Sequence, residues 1–159
     1  LARRLPQWPV VMAGLVPPPL TAEAFEQARR AALALPGLDV RGAVGRAQVS
    51  ALLDEAALFI HTSEAEGFSN TLLEAWAHAL PTLSVVDPDG VIAREGLGEC
   101  VQDVASLAAA VERWMGDPAA RREAGRRARA HVLARHAPDA VLDRIAALFD
   151  REIARVRSR

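Results

Sequence analysis

The chain has 159 residues, of which 51% are hydrophobic, and this length allows one domain with a sizeable core but not two ordinary domains. Its 19 basic and 20 acidic residues leave a formal charge of -1, so no broad electrostatic field favours nucleic acid or an anionic membrane as a partner. No apolar stretch approaches the roughly 20 residues that an integral membrane helix needs. A single cysteine, Cys100, cannot form an internal disulfide, and its apolar setting predicts a buried, inert thiol in a reducing cytoplasm.

Short apolar runs alternate with longer helical patterns, which predicts strand-helix-strand units and a mostly parallel sheet. The first half predicts a strand at Val10–Ala13, a helix at Ala22–Leu35 with Thr21 as its N-cap, a strand at Leu38–Arg41, a helix at Ala47–Glu55 and a strand at Ala56–His61. The second half predicts a helix from about Ser69 to Ala79, a strand at Thr82–Val86, a Gly-rich stretch, and helices at Asp103–Met115, Pro118–His136 and Pro138 to about Val156. The predicted fold class is therefore α/β, a Rossmann-like domain with three layers.

The stretch Ser63–Ala77 directly follows the best predicted strand and leads into a helix. In open parallel sheets, ligands bind at the carboxyl ends of the strands, so this loop lies where a site is expected. Gly67 permits tight backbone geometry, and Ser69 and Asn70 are favourable residues for the start of a helix. The first turn would then offer unpaired backbone N–H groups and the positive end of the helix dipole to an anion such as a diphosphate.

Two carboxylates flank this predicted anion position. Glu66 precedes the helix, whereas Glu74 lies in its second turn and, at about 100° per residue, projects away from the face that Leu72 and Trp76 share. A carboxylate repels phosphate but can accept two hydroxyl protons at once, which suits the vicinal hydroxyls of a ribose or a pyranose. The layout therefore matches two sugars with a diphosphate between them.

The run Glu-Gly-Phe-Ser-Asn-Thr-Leu-Leu-Glu-Ala-Trp-Ala, from Glu66 to Ala77, resembles the signature of the family 4 retaining glycosyltransferases and their GT-B relatives. The resemblance continues downstream through Leu80-Pro81 to the closing helices, and upstream through the strand that ends at Gly14 and the Val40–Gly42 segment. It implies that the chain is the C-terminal, donor-binding half of a GT-B fold and that its donor is a UDP-, GDP- or ADP-sugar.

The resemblance also implies roles for single residues. Glu74 would hold the ribose hydroxyls of the donor, and Glu66 would be the catalytic residue that contacts the transferred sugar near its reacting carbon. Transfer would retain the anomeric configuration without a cofactor or an obligatory metal, because protein donors would stabilise the charge on the leaving group. The implied donor-binding set is Gly67, Phe68, Ser69, Asn70, Thr71, Glu74, Gly14 and Arg41.

The expected partners follow from the same resemblance: a nucleotide-sugar donor, a sugar, lipid-linked or small-molecule acceptor, and an N-terminal acceptor-binding domain outside this chain.

One strand of the family topology has no counterpart here; it would be central, beside Val10–Ala13 and Ala56–His61, and would carry basic residues for the diphosphate. Residues 1–159 are therefore interpreted as a single domain and a fragment that should not catalyse alone, placed in the cytoplasm or, through the full-length protein, at the inner membrane face. Ala79 stands where the family usually has glycine.

Other interpretations of these features stay open. The same fold could form a non-catalytic nucleotide-binding or scaffold domain, or a sugar-nucleotide epimerase. Asp87-Pro88-Asp89 resembles the Asp-x-Asp metal motif of a different glycosyltransferase fold, although Asp-Pro-Asp-Gly is ordinary turn chemistry and a turn is favoured. His61 either lines the pocket or is satisfied at the strand end. Trp76 is predicted to lie in the core, and His78, His131 and His136, which lack metal-ligand spacing, are predicted on the surface.

Overall fold

The computed structural model describes residues 1–14, 22–63 and 68–157. Its strands and helices alternate as far as residue 100, and three longer helices then complete the chain. In chain order the elements are β1 (Val10–Ala13), α1 (Ala22–Leu33), β2 (Leu38–Gly42), α2 (Arg46–Glu55), β3 (Phe59–His61), α3 (Asn70–Ala77), β4 (Thr82–Ser84), a 3-10 turn (Pro88–Gly90), α4 (Val91–Glu95), β5 (Gly98–Cys100), α5 (Val104–Gly116), α6 (Pro118–Arg135) and α7 (Pro138–Arg157).

The predicted order of strands and helices is confirmed, and the differences lie in short elements. β3 begins at Phe59 rather than Ala56, and β4 ends at Ser84 rather than Val86. The stretch predicted only as Gly-rich forms α4 and β5, which have five and three residues and are too short to show a hydrophobic period. Position 98 in β5 requires glycine, because a Cβ there would lie 1.8 Å from the carbonyl oxygen of Thr82 on the neighbouring strand. The predicted N-cap, Thr21, lies outside the described residues.

The described strands pair in parallel and form two sheets rather than one. β1 pairs with β2, and β3, β4 and β5 form the second sheet in that order. β1 and β3 are therefore each an edge strand of their own sheet. On β1, Val11 and Met12 are 44% and 55% exposed, an unusual degree of exposure for large apolar side chains on a strand of an α/β domain.

β4 is fully buried and divides the core into two clusters. Leu83 packs in the first cluster, with Leu5 from the N-terminal segment and Leu107 and Val111 from α5. Its neighbour Thr82 faces the other side, where its hydroxyl accepts a 2.9 Å hydrogen bond from the indole N–H of Trp76. Successive residues of a strand point to opposite faces, so helices cover both sides of this sheet, as the three-layer prediction requires. The second cluster joins α3, α4, β5 and α6 through Leu72, Trp76, Val91, Ile92, Leu97 and Ala128.

Helix α6 approaches the end of α3 very closely. A Cβ at Gly125 would lie 1.9 Å from the carbonyl oxygen of Ala79, so a side chain at this position is incompatible with the observed packing. Ala79 itself has φ 58°, in the left-handed region that favours glycine. The glycine that the family resemblance leads one to expect at this position would adopt this backbone without strain, whereas in this chain an alanine carries the strain.

Helix α7 presents an apolar face to solvent. All its residues from 142 to 157 are exposed, and its apolar side chains recur at helical spacing. Within the described ranges, no helix is both long enough and apolar enough to span a membrane. The exposed members of the face are Leu142, Ile145, Leu148, Phe149, Ile153 and Val156.

Cys100, predicted to be buried, is exposed because it ends the edge strand β5. Partial desolvation raises the pKa of its thiol, and the nearby Asp87 carboxylate raises it further. The thiol is therefore protonated at neutral pH, and protonation rather than burial limits its reactivity.

Replacing Ala79 with glycine should stabilise the fold. An L-residue in the left-handed region costs roughly 1–2 kcal/mol, and the greater freedom of glycine in the unfolded chain offsets part of that gain by about 0.5–1 kcal/mol. We expect Ala79→Gly to raise the melting temperature by about 2–4 °C per kcal/mol gained. Ala77→Gly, in the last turn of α3 and without a positive φ, is the control and should lower it. Equal effects of the two substitutions would contradict strain at Ala79.

Replacing Gly125 with alanine should destabilise the fold. The new Cβ meets backbone rather than a flexible side chain, so α6 must move away from α3. Overpacking of this kind costs about 1–3 kcal/mol, which exceeds the helix propensity gained. Gly116→Ala, where a Cβ would meet nothing within 4 Å, is the matched control. Urea unfolding should show a loss of stability only for Gly125→Ala; an unchanged midpoint would refute the close approach.

Candidate functional site

The start of helix α3 has backbone donors that no described side chain caps. Ser69 is the N-cap, with extended backbone at φ -72° and ψ 130°. Its hydroxyl lies 2.8 Å from the Thr71 hydroxyl instead of accepting from a backbone N–H of the first turn. Since the first N–H groups of a helix have no partner within the helix, those of α3 remain available to a ligand. The dipole of the helix gives this end a partial positive charge.

Five of the predicted site residues come together in this segment. Phe68 is 38% exposed, Ser69 is buried, and Asn70 and Thr71 of the first turn are exposed. Glu74 follows in the second turn with a half-buried side chain. The predicted catalytic residue Glu66 and the neighbouring Gly67 lie outside the described residues. The described part of the segment can therefore bind an anion at the helix start and offer a carboxylate one turn further along.

Gly14 and Arg41 lie at the carboxyl ends of β1 and β2, respectively, in the other sheet. The Gly14 N–H donates to the Gly42 carbonyl oxygen at 2.8 Å. Arg41 is exposed, and its Nε donates to the Asp39 carboxylate at 2.8 Å. An exposed ion pair of this kind contributes at most about 1 kcal/mol, so the guanidinium can turn toward a ligand at little cost.

The Asp87-Pro88-Asp89-Gly90 segment forms a helix cap, in agreement with the favoured turn interpretation. The two carboxylate oxygens of Asp87 accept the backbone N–H groups of Ile92 at 2.7 Å and Ala93 at 3.0 Å. Asp87 thus satisfies the orphan donors of α4. Among the described residues, no cluster of three or more His, Cys, Asp or Glu side chains could hold a metal ion.

Two histidines join neighbouring elements near the strand ends. His61, the last residue of β3, is buried, and its Nδ1 lies 3.2 Å from the Ser84 hydroxyl at the end of β4. His78 was predicted on the surface, but it is only partly exposed because its Nδ1 lies 2.8 Å from the Asp54 carboxylate of α2. Both side chains therefore fix elements that lead toward the predicted site.

A cluster of four rings lies beside the start of α3. Phe68 contacts Trp76 edge to face, with centroids 5.9 Å apart, and it contacts His136 at 5.3 Å. His131 lies 5.6 Å from Trp76 and 5.4 Å from His136. The side chain of His131 is only 7% exposed, and its Nδ1 pairs with the carboxylate of Glu95 at the end of α4. Aromatic pairs in these arrangements each contribute about 0.5–1.5 kcal/mol beyond area burial. We call these four residues the ring cluster.

The pKa values of His136 in the ring cluster and of Glu95 beside it both lie below their usual values. Desolvation lowers the pKa of His136, and the charges of His131, Arg144 and Arg135 lower it further. Partial burial acts to raise the pKa of Glu95, but the hydrogen bond and charge of His131 outweigh it, so this pKa lies below its usual value. His136 is therefore held neutral near pH 7.

The sequence interpretation missed the ring cluster, since it placed His131 and His136 on the surface. One signal could have found His131: Ala124, Ala128 and His131 recur at the spacing of one helix face, and the two alanines are buried. His136 follows the last residue of α6 and carries no such periodic signal. Its contact with Phe68 depends on how α6 packs on α3.

Comparison with known proteins identifies the family of the chain. The profile of the family described as glycosyl transferases group 1 matches residues 1–117, well over half of the chain. The chain belongs to this family. No curated protein sequence matches it.

The fold also has a solved counterpart. The structure of sucrose-phosphate synthase from Thermosynechococcus elongatus superposes on this chain with a TM-score of 0.73 at 22% sequence identity. The alignment covers 96% of this chain and 41% of that one, so this chain spans less than half the length of the synthase. The predicted fold class, a Rossmann-like α/β domain equivalent to one half of a GT-B glycosyltransferase, is thereby confirmed.

Proposed function

We propose that this chain supplies the donor-binding half of a retaining glycosyltransferase that uses a nucleoside diphosphate sugar. The observation that carries the proposal is the uncapped N-terminus of α3, placed directly after a strand of a parallel sheet in a group 1 glycosyltransferase. Backbone N–H groups and the positive end of the dipole at a helix start form a favourable site for phosphate. Asn70 and Thr71 are exposed there, so their N–H groups can reach the diphosphate.

Glu74 is proposed to hold the ribose of the donor. Its half-buried side chain lies about one helical turn, roughly 5.4 Å along the axis, from the proposed diphosphate position. A carboxylate accepts both vicinal hydroxyl protons in charge-assisted hydrogen bonds. On the side of the transferred sugar, the family resemblance assigns Glu66 to the reacting carbon and Gly67 to the sugar hydroxyls.

The nucleobase of the donor is proposed to lie near Gly14 and Arg41, where the exposed Arg41 guanidinium can stack on or hydrogen-bond to a uracil, guanine or adenine ring. With protein N–H donors at the diphosphate, the departing nucleotide needs no resident cofactor, and no metal enters the proposed mechanism.

The acceptor, a sugar, lipid-linked or small molecule, is proposed to bind a separate N-terminal domain of the full-length protein. We also propose that a further strand lies between β1 and β3. Both are edge strands of separate parallel sheets, and the exposed apolar side chains of Val11 and Met12 support a neighbour there.

Replacing Asn70 with proline isolates the contribution of a backbone donor. Asn70 is the first helical residue, where proline is favoured, and Ser69 already has the extended backbone that a residue before proline requires. The variant should keep its melting temperature but bind the donor at least about tenfold more weakly, because a hydrogen bond to a charged group contributes about 1.5–3 kcal/mol. Affinity is measured by calorimetry with UDP-glucose, GDP-mannose and ADP-glucose.

Two variants control for other effects of the proline. Asn70→Ala removes the side chain but keeps the N–H and should bind like the parent. Val104→Pro places a proline at the equivalent exposed position of α5 and should also leave binding unchanged. If Asn70→Pro binds all three donors as the parent does, the diphosphate does not lie at this helix start.

Glu74→Gln should weaken donor binding by about tenfold or more, since an amide cannot accept two hydroxyl protons as a carboxylate can. The loss should disappear when a donor with a 2′,3′-dideoxyribose replaces the natural one. Glu112→Gln, an exposed acid on α5, is the matched control and should bind normally. An equal loss with the dideoxy donor would assign Glu74 to another part of the ligand.

A further inference from the structure

We propose that His136 is a positioning residue of the donor site: its ring holds Phe68, and through Phe68 it orders the first turn of α3 for the donor diphosphate. This inference rests on the proposed function. Phe68 directly precedes the N-cap Ser69 and therefore lies next to the backbone donors that are assigned to the diphosphate.

Phe68 has one ring neighbour on α3, the helix that follows it, and one at the end of α6. Trp76 is fixed in the core, with its side chain fully buried and its N–H donating to Thr82. The opposite neighbour is His136, whose ring is tilted 33° to that of Phe68. Phe68 is 38% exposed, and without His136 only Trp76 would remain of its two described ring contacts.

His136 is itself held firmly. Its backbone N–H caps the end of α6 by donating to the Val132 carbonyl oxygen at 2.8 Å. Its ring lies against that of His131, whose side chain is only 7% exposed and pairs with Glu95 of α4. The position of the Phe68 ring is thus set by α4 and α6 through His136. Order established before binding reduces the entropy that a ligand must remove, which is how a residue remote from the donor raises its affinity.

The charges around His136 make this support depend on pH. His131 and Arg135 face it from α6 and Arg144 from α7, all basic, whereas Phe68 and Trp76 bring no charge. The nearby carboxylate of Glu95 is engaged by His131. When His136 takes up a proton, its charge is therefore repelled, and the ring leaves Phe68 for solvent. The depressed pKa of His136 means that the support is present above the ordinary histidine pKa and is lost as pH falls through the lower value in the folded protein.

Binding of UDP-glucose, GDP-mannose and ADP-glucose to the full-length protein is measured by calorimetry at pH 7.5 for the parent and three variants. His136→Ala should bind the preferred donor at least tenfold more weakly, whereas His136→Phe, which keeps an aromatic ring, should bind within twofold of the parent. Leu133→Ala, at an exposed position on the same helix, is the control and should bind normally. Parental affinity in His136→Ala, or equal losses in the alanine and phenylalanine variants, would overturn the proposal.

A pH series separates positioning from a merely structural role. From pH 7.5 to 5.5 the parent should lose donor affinity relative to His136→Phe, whose ring at position 136 cannot take up a proton. Protonation of the donor affects both proteins equally and therefore cancels in the ratio of their two affinities. A constant ratio over this range would refute the charge-dependent support.

A measurement without donor distinguishes failure of this inference from failure of the proposed function. The backbone amide signals of Phe68, Ser69 and Asn70 in NMR spectra should shift with the titration of His136 in the parent and stay fixed in His136→Phe. If the amides follow His136 but no donor binds, the proposed function is wrong and the role of His136 in donor binding falls with it. If donors bind but the amides ignore the titration, the proposed function stands and His136 is not a positioning residue.

Discussion

Helix α6 can lie against the end of α3 only because position 125 has no side chain. The Ala79 carbonyl occupies the space that a Cβ would fill, and the left-handed backbone at Ala79 places that carbonyl there. From this contact α6 carries Ala128 and His131 onto the second core cluster and ends with His136 against Phe68. A backbone contact beyond the C-terminal end of α3 therefore helps to determine which side chains border the predicted site at the other end of this helix.

The sequence could predict what depends on local patterns. The alternation of apolar runs and helices identified the α/β fold, and the buried strand followed by Gly67, Ser69 and Asn70 identified the helix start. The short elements α4 and β5 were not predicted, because a hydrophobic period cannot be recognised over three to five positions in a Gly-rich stretch. Contacts between distant segments were not predicted either. The contacts of Asp54 with His78 and of Phe68 with His136 depend on how the helices pack, which no single stretch of sequence encodes.

The family match and the ring cluster concern different parts of the chain. The match ends at residue 117, just before α6 begins, so the histidines that border the start of α3 lie beyond it. The family match therefore covers the strand and helix of the proposed donor site. It does not account for His131 and His136, whose importance follows from ring geometry and burial.

The exposed face of α7 has a consequence for the order in which the fold opens. Residues 142–157 pack on nothing in the described chain that would bury them, so their helical conformation depends chiefly on local backbone hydrogen bonds. An isolated helix of about this length is only marginally stable in water. Amide hydrogen exchange along α7 should therefore be fast compared with exchange in α5 or β4 and should accelerate toward the C-terminal end, so that this helix unfolds many times for each opening of the core.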